Sequence, residues 1–202
     1  MNTEEFVQFV TEKVESVGAK VSFPMEKSVV LPGEITQCNG YWDKGTMTLA
    51  AARDQDPDSF LRLLVHEYCH FRQWAEKREP YWNLYDPELK ADLESVFFGW
   101  IEGQDTDLEL VKYAGTACRD MELDCERLTV KTIKELELPI DLVDYTKRAA
   151  AYVLFYNVII ETRKWYAIGE EPYNNPEIIK LMPDNLDGDF KTTPPEVAAL
   201  MK

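Results

Sequence analysis

The chain is short of positive charge: 22 Lys and Arg stand against 37 Asp and Glu, a formal charge of -15 over 202 residues. A surface of that sign repels a phosphate backbone, and no Lys/Arg cluster is dense enough to offset it locally. Nucleic acid is therefore excluded as a general partner, and an anionic membrane surface with it. Cysteine is also scarce. Cys38, Cys69, Cys118 and Cys125 are too few for a disulfide framework in a chain long enough to bury its own core, and they are read as thiols. No apolar run is long enough to span a bilayer, and the opening MNTEEFVQFV carries acids where a secretion signal needs a basic head. The expectation is a soluble, cytoplasmic protein. With 45% apolar residues, no repeat and no second core in evidence, residues 1–202 are expected to form a single domain.

The periodicity changes along the chain. Phe6, Val7, Phe9, Val10 and Val14 recur at helical spacing over residues 3–17, with Thr3 as the expected cap. A short strand follows from Lys20 to Phe23. The triplet Asp43-Lys44-Gly45 reads as a tight turn joining Gly40–Trp42 to Thr46–Ala50 in a hairpin, which gives a small sheet of two to four strands. From Asp58 the pattern is helical again, with Phe60, Leu61, Leu64, Val65, Tyr68 and Cys69 on one wide apolar face running to Trp74. Further helices are predicted over 89–101 and 106–136 and within 143–168, with Ala149–Ile160 as the apolar part of the last and Gly115 as a bend or close packing point. The last of these is apolar on most sides and so buried. Residues 170–202, rich in Pro, Asn and Asp, are expected to form an irregular tail. These elements give an α+β fold, with a small, mostly antiparallel sheet packed against the helix over 58–74 and a bundle of longer helices.

Histidine is the scarcest residue that carries chemistry, and both copies fall in His66-Glu67-Tyr68-Cys69-His70. A spacing of four stacks the two imidazoles on one helix face, where they can hold one ion, with Glu67 beside them in reach of a metal-bound water. Catalytic zinc normally has three protein ligands. No histidine remains, so the third must be a carboxylate or a thiol. The turn Asp120-Met121-Glu122-Leu123-Asp124-Cys125-Glu126 supplies acids inside an apolar helical pattern, and Glu122 falls on the inward stripe with Cys118 and Cys125. Glu122 is taken as the third ligand and Glu126 as the acceptor that braces a ligand histidine, with the reverse assignment as its rival. Cys69, Cys118 and Cys125 are read as small core residues, since a cluster of thiols would argue for a closed structural zinc.

The pentapeptide followed by a glutamate on a separate helix resembles the gluzincin branch of zinc metallopeptidases and their reduced relatives. The resemblance covers about Gly40 to Arg127 and implies a zincin-like fold, one Zn2+ per chain held by His66, His70 and Glu122, and a brace at Glu126. It also implies a sheet edge at Thr46, Met47, Thr48, Leu49 and Ala50 that receives an extended substrate. On that reading Glu67 is the base of a zinc-dependent hydrolysis of a peptide or protein, and Tyr152 or Tyr156 supplies an oxyanion donor. A basic polypeptide is the favoured substrate on charge. The competing reading is a catalytically inactive zincin-like domain that acts in protein binding or regulation.

Overall fold

The computed structural model describes residues 1–33, 37–167 and 169–202. In chain order, the elements of the first part are α1 (Thr3–Glu15), β1 (Lys20–Ser22), β2 (Val29–Val30), β3 (Gln37–Cys38), β4 (Gly40–Asp43), β5 (Thr48–Ala51) and α2 (Pro57–Ala75). After them come α3 (Glu79–Trp82), β6 (Tyr85–Asp86), β7 (Ala91–Asp92), α4 (Leu93–Ile101), α5 (Leu108–Glu135) and α6 (Leu142–Thr162). A short 3-10 turn (Pro172–Asn174), α7 (Pro176–Leu181) and α8 (Pro195–Met201) close the chain. The chain divides into two compact units, one made of Met1–Arg78 with Leu128–Leu142 and the other of Glu79–Arg127 with Val143–Lys202. No helix among the described residues is long and apolar enough to cross a membrane.

In the first unit α1 starts one residue earlier than the Thr3 cap implies. Asn2 Oδ1 accepts from Glu5 N at 3.0 Å and Glu5 Oε2 accepts from Asn2 N at 2.8 Å, a reciprocal capping box. The buried face of α1, Phe6, Val10 and Val14, meets α2 through Tyr68, whose ring stands edge-on to Phe6 at 6.0 Å and to Phe9 at 5.7 Å. The expected hairpin is present. Asp43 closes its turn by accepting from Gly45 N at 3.0 Å and Thr46 N at 2.8 Å, and Met47 takes a left-handed φ of 53°. The sheet is mixed, in the order β1-β5-β4, with β1 parallel and β4 antiparallel to β5. Trp42 of β4 lies 5.1 Å from the Phe71 ring and 5.2 Å from Trp74, which seats the sheet on α2. That contact fixes the depth of the helix that carries the histidines. A separate two-stranded ribbon, β2 with β3, covers Ala50 and Ala52 with Val29.

In the second unit, Asp92 caps α4 by accepting from Ser95 N at 2.9 Å, and Asp107 accepts from Glu109 N and Leu110 N at the start of α5. Ile168 lies outside the described residues; the final apolar helix expected within 143–168 is α6, which ends at Thr162. Its buried residues run from Tyr145 through Ala149–Ala151 to Ile159, as its uniform hydrophobicity implies. The tail is more regular than its composition suggests. Its turns are held by long-range polar contacts that leave no periodic trace: Arg127 donates to the carbonyls of Leu186 and Gly188 at 2.8 Å each, and Asn157 donates to that of Phe190 at 2.9 Å.

Gly115 is the close packing point that its place in an otherwise apolar helix suggests. A Cβ there would stand 2.6 Å from Ile160 Cγ1 and 2.7 Å from Phe97 Cε2. Gly115→Ala gains up to about 1 kcal/mol of helix propensity, but overpacking at such distances costs about 1–3 kcal/mol. The variant is expected to unfold at lower urea with an unchanged m-value, and a midpoint above that of the natural chain would contradict this packing.

Candidate metal centre

His66 lies midway along α2 and His70 one turn later, on a helix begun by Asp56, which accepts from Ser59 N at 3.0 Å, with Pro57 in the first turn. The helix buries Phe60, Leu61, Leu64, Val65, Tyr68 and Cys69, a burial that stabilises it by about 1.5–3 kcal/mol for each large side chain. His66 and His70 are half-buried at the margin of that face. Their rings are perpendicular, 4.6 Å apart at the centroids, and their Nε2 atoms face each other at 3.0 Å. Two nitrogens bound to one tetrahedral zinc stand about 3.3 Å apart by the usual Zn–N bond length. The pair is therefore close to the spacing of two ligands on one ion.

The third donor is a thiol. The ligand atoms of His66, His70 and Cys125 all lie within 4.8 Å of one another. Cys125 is fully buried on α5, two turns before Thr132, whose hydroxyl accepts from Arg72 Nη1 at 2.8 Å and lies 3.5 Å from Cys69 Sγ. Thr132 itself donates to Leu128 O at 2.7 Å. Cys69 and Cys118 are buried as core residues, as expected, whereas Cys125 is not simply core material.

Glu122 is buried in a different setting. Its Oε1 receives long hydrogen bonds from Tyr156 at 3.4 Å and Tyr152 at 3.5 Å, and the two phenols lie 3.2 Å apart. Burial pushes both phenols well above their ordinary pKa, with the Glu122 charge adding to it. Burial likewise raises the Cys118 thiol, with Glu94, Glu122 and Asp92 contributing. Tyr152 and Tyr156 are thus donors to a buried carboxylate. Glu126 Oε2 accepts from Tyr145 at 2.7 Å. On α2 itself, Gln73 Oε1 lies 3.0 Å from His70 Nδ1. The sequence offered a signal for this contact, an amide three residues after a histidine and so on the same helix face.

Glu67 is 7% exposed. Its side chain lies over Gly40 of β4, where an added Cβ would stand 2.8 Å from Glu67 Cγ and 2.9 Å from the Ala50 carbonyl. The strand expected to receive a peptide is in the middle of its sheet. Thr48, Leu49 and Ala50 pair with Lys20, Val21 and Ser22 on one side, and with β4 on the other, so their backbone has no free edge for an added strand. Thr46 and Met47 belong to the turn that precedes it.

Burial is the main cause that raises the phenols of Tyr68, to about 12, and of Tyr41, Tyr152, Tyr156, Tyr166 and Tyr173 in the same direction. A folded-state value above the unfolded one, about 10, means stability that is complete below that pH and is lost as pH rises through the folded values. Of the ten tyrosines, absorbance at 295 nm should show the buried ones ionising together with loss of the circular dichroism signal. One reversible step for all ten, with the fold intact, would refute their burial.

No protein-family model matches the chain, and neither a curated protein nor a solved structure matches it. The gluzincin expectation is corrected accordingly. The group that could hold an ion is His66, His70 and Cys125, which does not match that family's pattern of two histidines and a downstream glutamate. The pentapeptide His66–His70 is helical and its histidines are paired, but without that family's ligand set or any matching family or structure it does not establish a peptidase. The expected zinc-protease activity, with Glu67 as its base, is withdrawn on the same grounds. The fold stands as mixed α+β, with a small mixed sheet and longer helices; no solved structure matches to make it zincin-like.

Proposed function

We propose that this chain is a non-catalytic, metal-dependent binding module in which one zinc ion is held by His66, His70 and Cys125. The observation that carries the reading is the convergence of those three donors within 4.8 Å. Two imidazoles and a thiolate form a borderline-soft set that suits zinc better than the oxygen-seeking Mg2+ or Ca2+. On tetrahedral zinc such donors stand about 3.3–3.6 Å apart, so small side-chain rotations suffice to close the set. When bound, the ion supplies a cross-link among side chains far apart in sequence. The chain's own residues orient the imidazoles and keep the thiol away from bulk water. A sheet seated on a histidine-bearing helix supports a zincin-like arrangement put to use in protein binding or regulation, with residues 1–202 acting as one functional domain. The -15 charge supports a basic polypeptide as the partner class. Four free cysteines, one of them a proposed ligand, suit a reducing, cytoplasmic setting.

Cobalt(II) titration of the purified chain tests the site. One equivalent is expected to bind, with a thiolate-to-cobalt charge-transfer band that Cys125→Ser abolishes and Glu67→Gln leaves in place. Zinc at 100-fold above its Kd should stabilise the fold by about 2.7 kcal/mol, read as a raised Tm. A chain that takes up neither metal, or a full charge-transfer band in Cys125→Ser, would end the reading. Calorimetry with a lysine- and arginine-rich peptide should show binding that a zinc chelator weakens at least tenfold. Equal binding with and without chelator would separate the partner from the metal.

A further inference from the structure

We infer that Gln73 is the positioning residue of the histidine pair, holding His70 in the single tautomer that leaves its Nε2 lone pair facing His66. The consequence for metal binding rests on the proposed function, but the geometry does not. A neutral imidazole has one N–H and one lone pair, and whichever nitrogen meets an acceptor keeps the proton. Gln73 is completely buried, at 0% exposure, and its Oε1 stands 3.0 Å from His70 Nδ1. With the carbonyl oxygen as acceptor, Nδ1 is the donor and Nε2 is bare. His70 Nε2 then stands 3.0 Å from His66 Nε2, where in the metal-free chain it accepts the His66 proton.

The support for Gln73 is itself fixed. Its main-chain carbonyl accepts from Arg78 N at 2.9 Å as the chain turns back at Lys77, whose φ is 55°. The end of α2 is therefore closed on the residue that orients His70. Complete burial leaves the Gln73 side chain little freedom, and the imidazole inherits that rigidity. If the acceptor were removed, the His70 proton could move to Nε2 and occupy the direction in which a metal must be bound.

The test needs no metal in its first arm. The chain has only two histidines, so long-range 1H–15N correlation spectra of the metal-free protein, recorded over a pH series to the alkaline limit of both rings, resolve each tautomer. The natural chain is expected to show His70 as the pure Nδ1–H form, Gln73→Leu a mixture or the Nε2–H form, and Gln73→Glu the Nδ1–H form again. In the second arm, Gln73→Leu should weaken cobalt binding by about 10–100-fold, and Gln73→Glu should restore it. An Nε2–H ring in the natural chain, or an unchanged tautomer in Gln73→Leu, overturns the inference. So does equal cobalt affinity in the natural chain and Gln73→Leu. Should the natural chain bind no cobalt while His70 is locked as Nδ1–H, the metal reading falls and the assignment of Gln73 stands. If Gln73→Leu fails to fold, the tautomer in the natural chain and in Gln73→Glu still decides the matter.

Discussion

Two imidazoles held together by a helix set the terms for everything around them. At about 3.6 residues per turn, residues four apart stack on one face, and His66 and His70 arrive with their Nε2 atoms 3.0 Å apart. Such a pair is polar at the edge of an apolar face, and it must share a proton, hold an ion or lose the apposition. Each feature of α2 serves that apposition. Asp56 and Pro57 fix where the helix begins, Trp42 presses the sheet onto Phe71 and Trp74, and Gln73 Oε1 meets His70 Nδ1 at 3.0 Å.

The acids of α5 illustrate how one inward stripe divides its work. Glu122, Cys125 and Glu126 are all buried, and from spacing alone any of them can be drawn toward an ion. In the folded chain Glu122 lies under two phenols and Glu126 under a third, while the Cys125 thiol stands with the imidazoles. Carboxylates taken from water are held by hydroxyl donors at a modest net energy, about 0.5–1.5 kcal/mol per bond and more when the acceptor is charged. A thiol needs far less solvation, and free cysteine is among the residues most often found buried. It can therefore reach an apolar position that a carboxylate enters only with donors at hand. That difference is what the preference for a glutamate ligand overlooked.

Much of the local structure was legible beforehand. The α1, α2 and α5 periods, the burial of α6, the turn at Asp43 and the tight approach at Gly115 all follow from patterns that depend on neighbours within a few residues. The cap of α1 was displaced by one residue because Asn2 forms a reciprocal bond with Glu5. The regularity of the tail was hidden because Arg127 and Asn157, far away in sequence, provide its anchors. The strand at Thr48–Ala51 was read correctly as a strand, but its place in the sheet was not. Alternation reports which face a residue takes and carries no information on how many neighbours the strand has.

By itself, the sequence determined the apposition of His66 and His70, because helical pitch is local and forces it. It also determined the charge of the surface and the thiol state of the cysteines. Only the tertiary structure decided which thiol lies near the pair, how Glu122 and Glu126 are hydrogen-bonded to tyrosines, and that β5 is paired on both sides. Those outcomes depend on which residues distant in sequence come within a few ångströms, and on the differing cost of burying a thiol, an amide or a carboxylate once they are there.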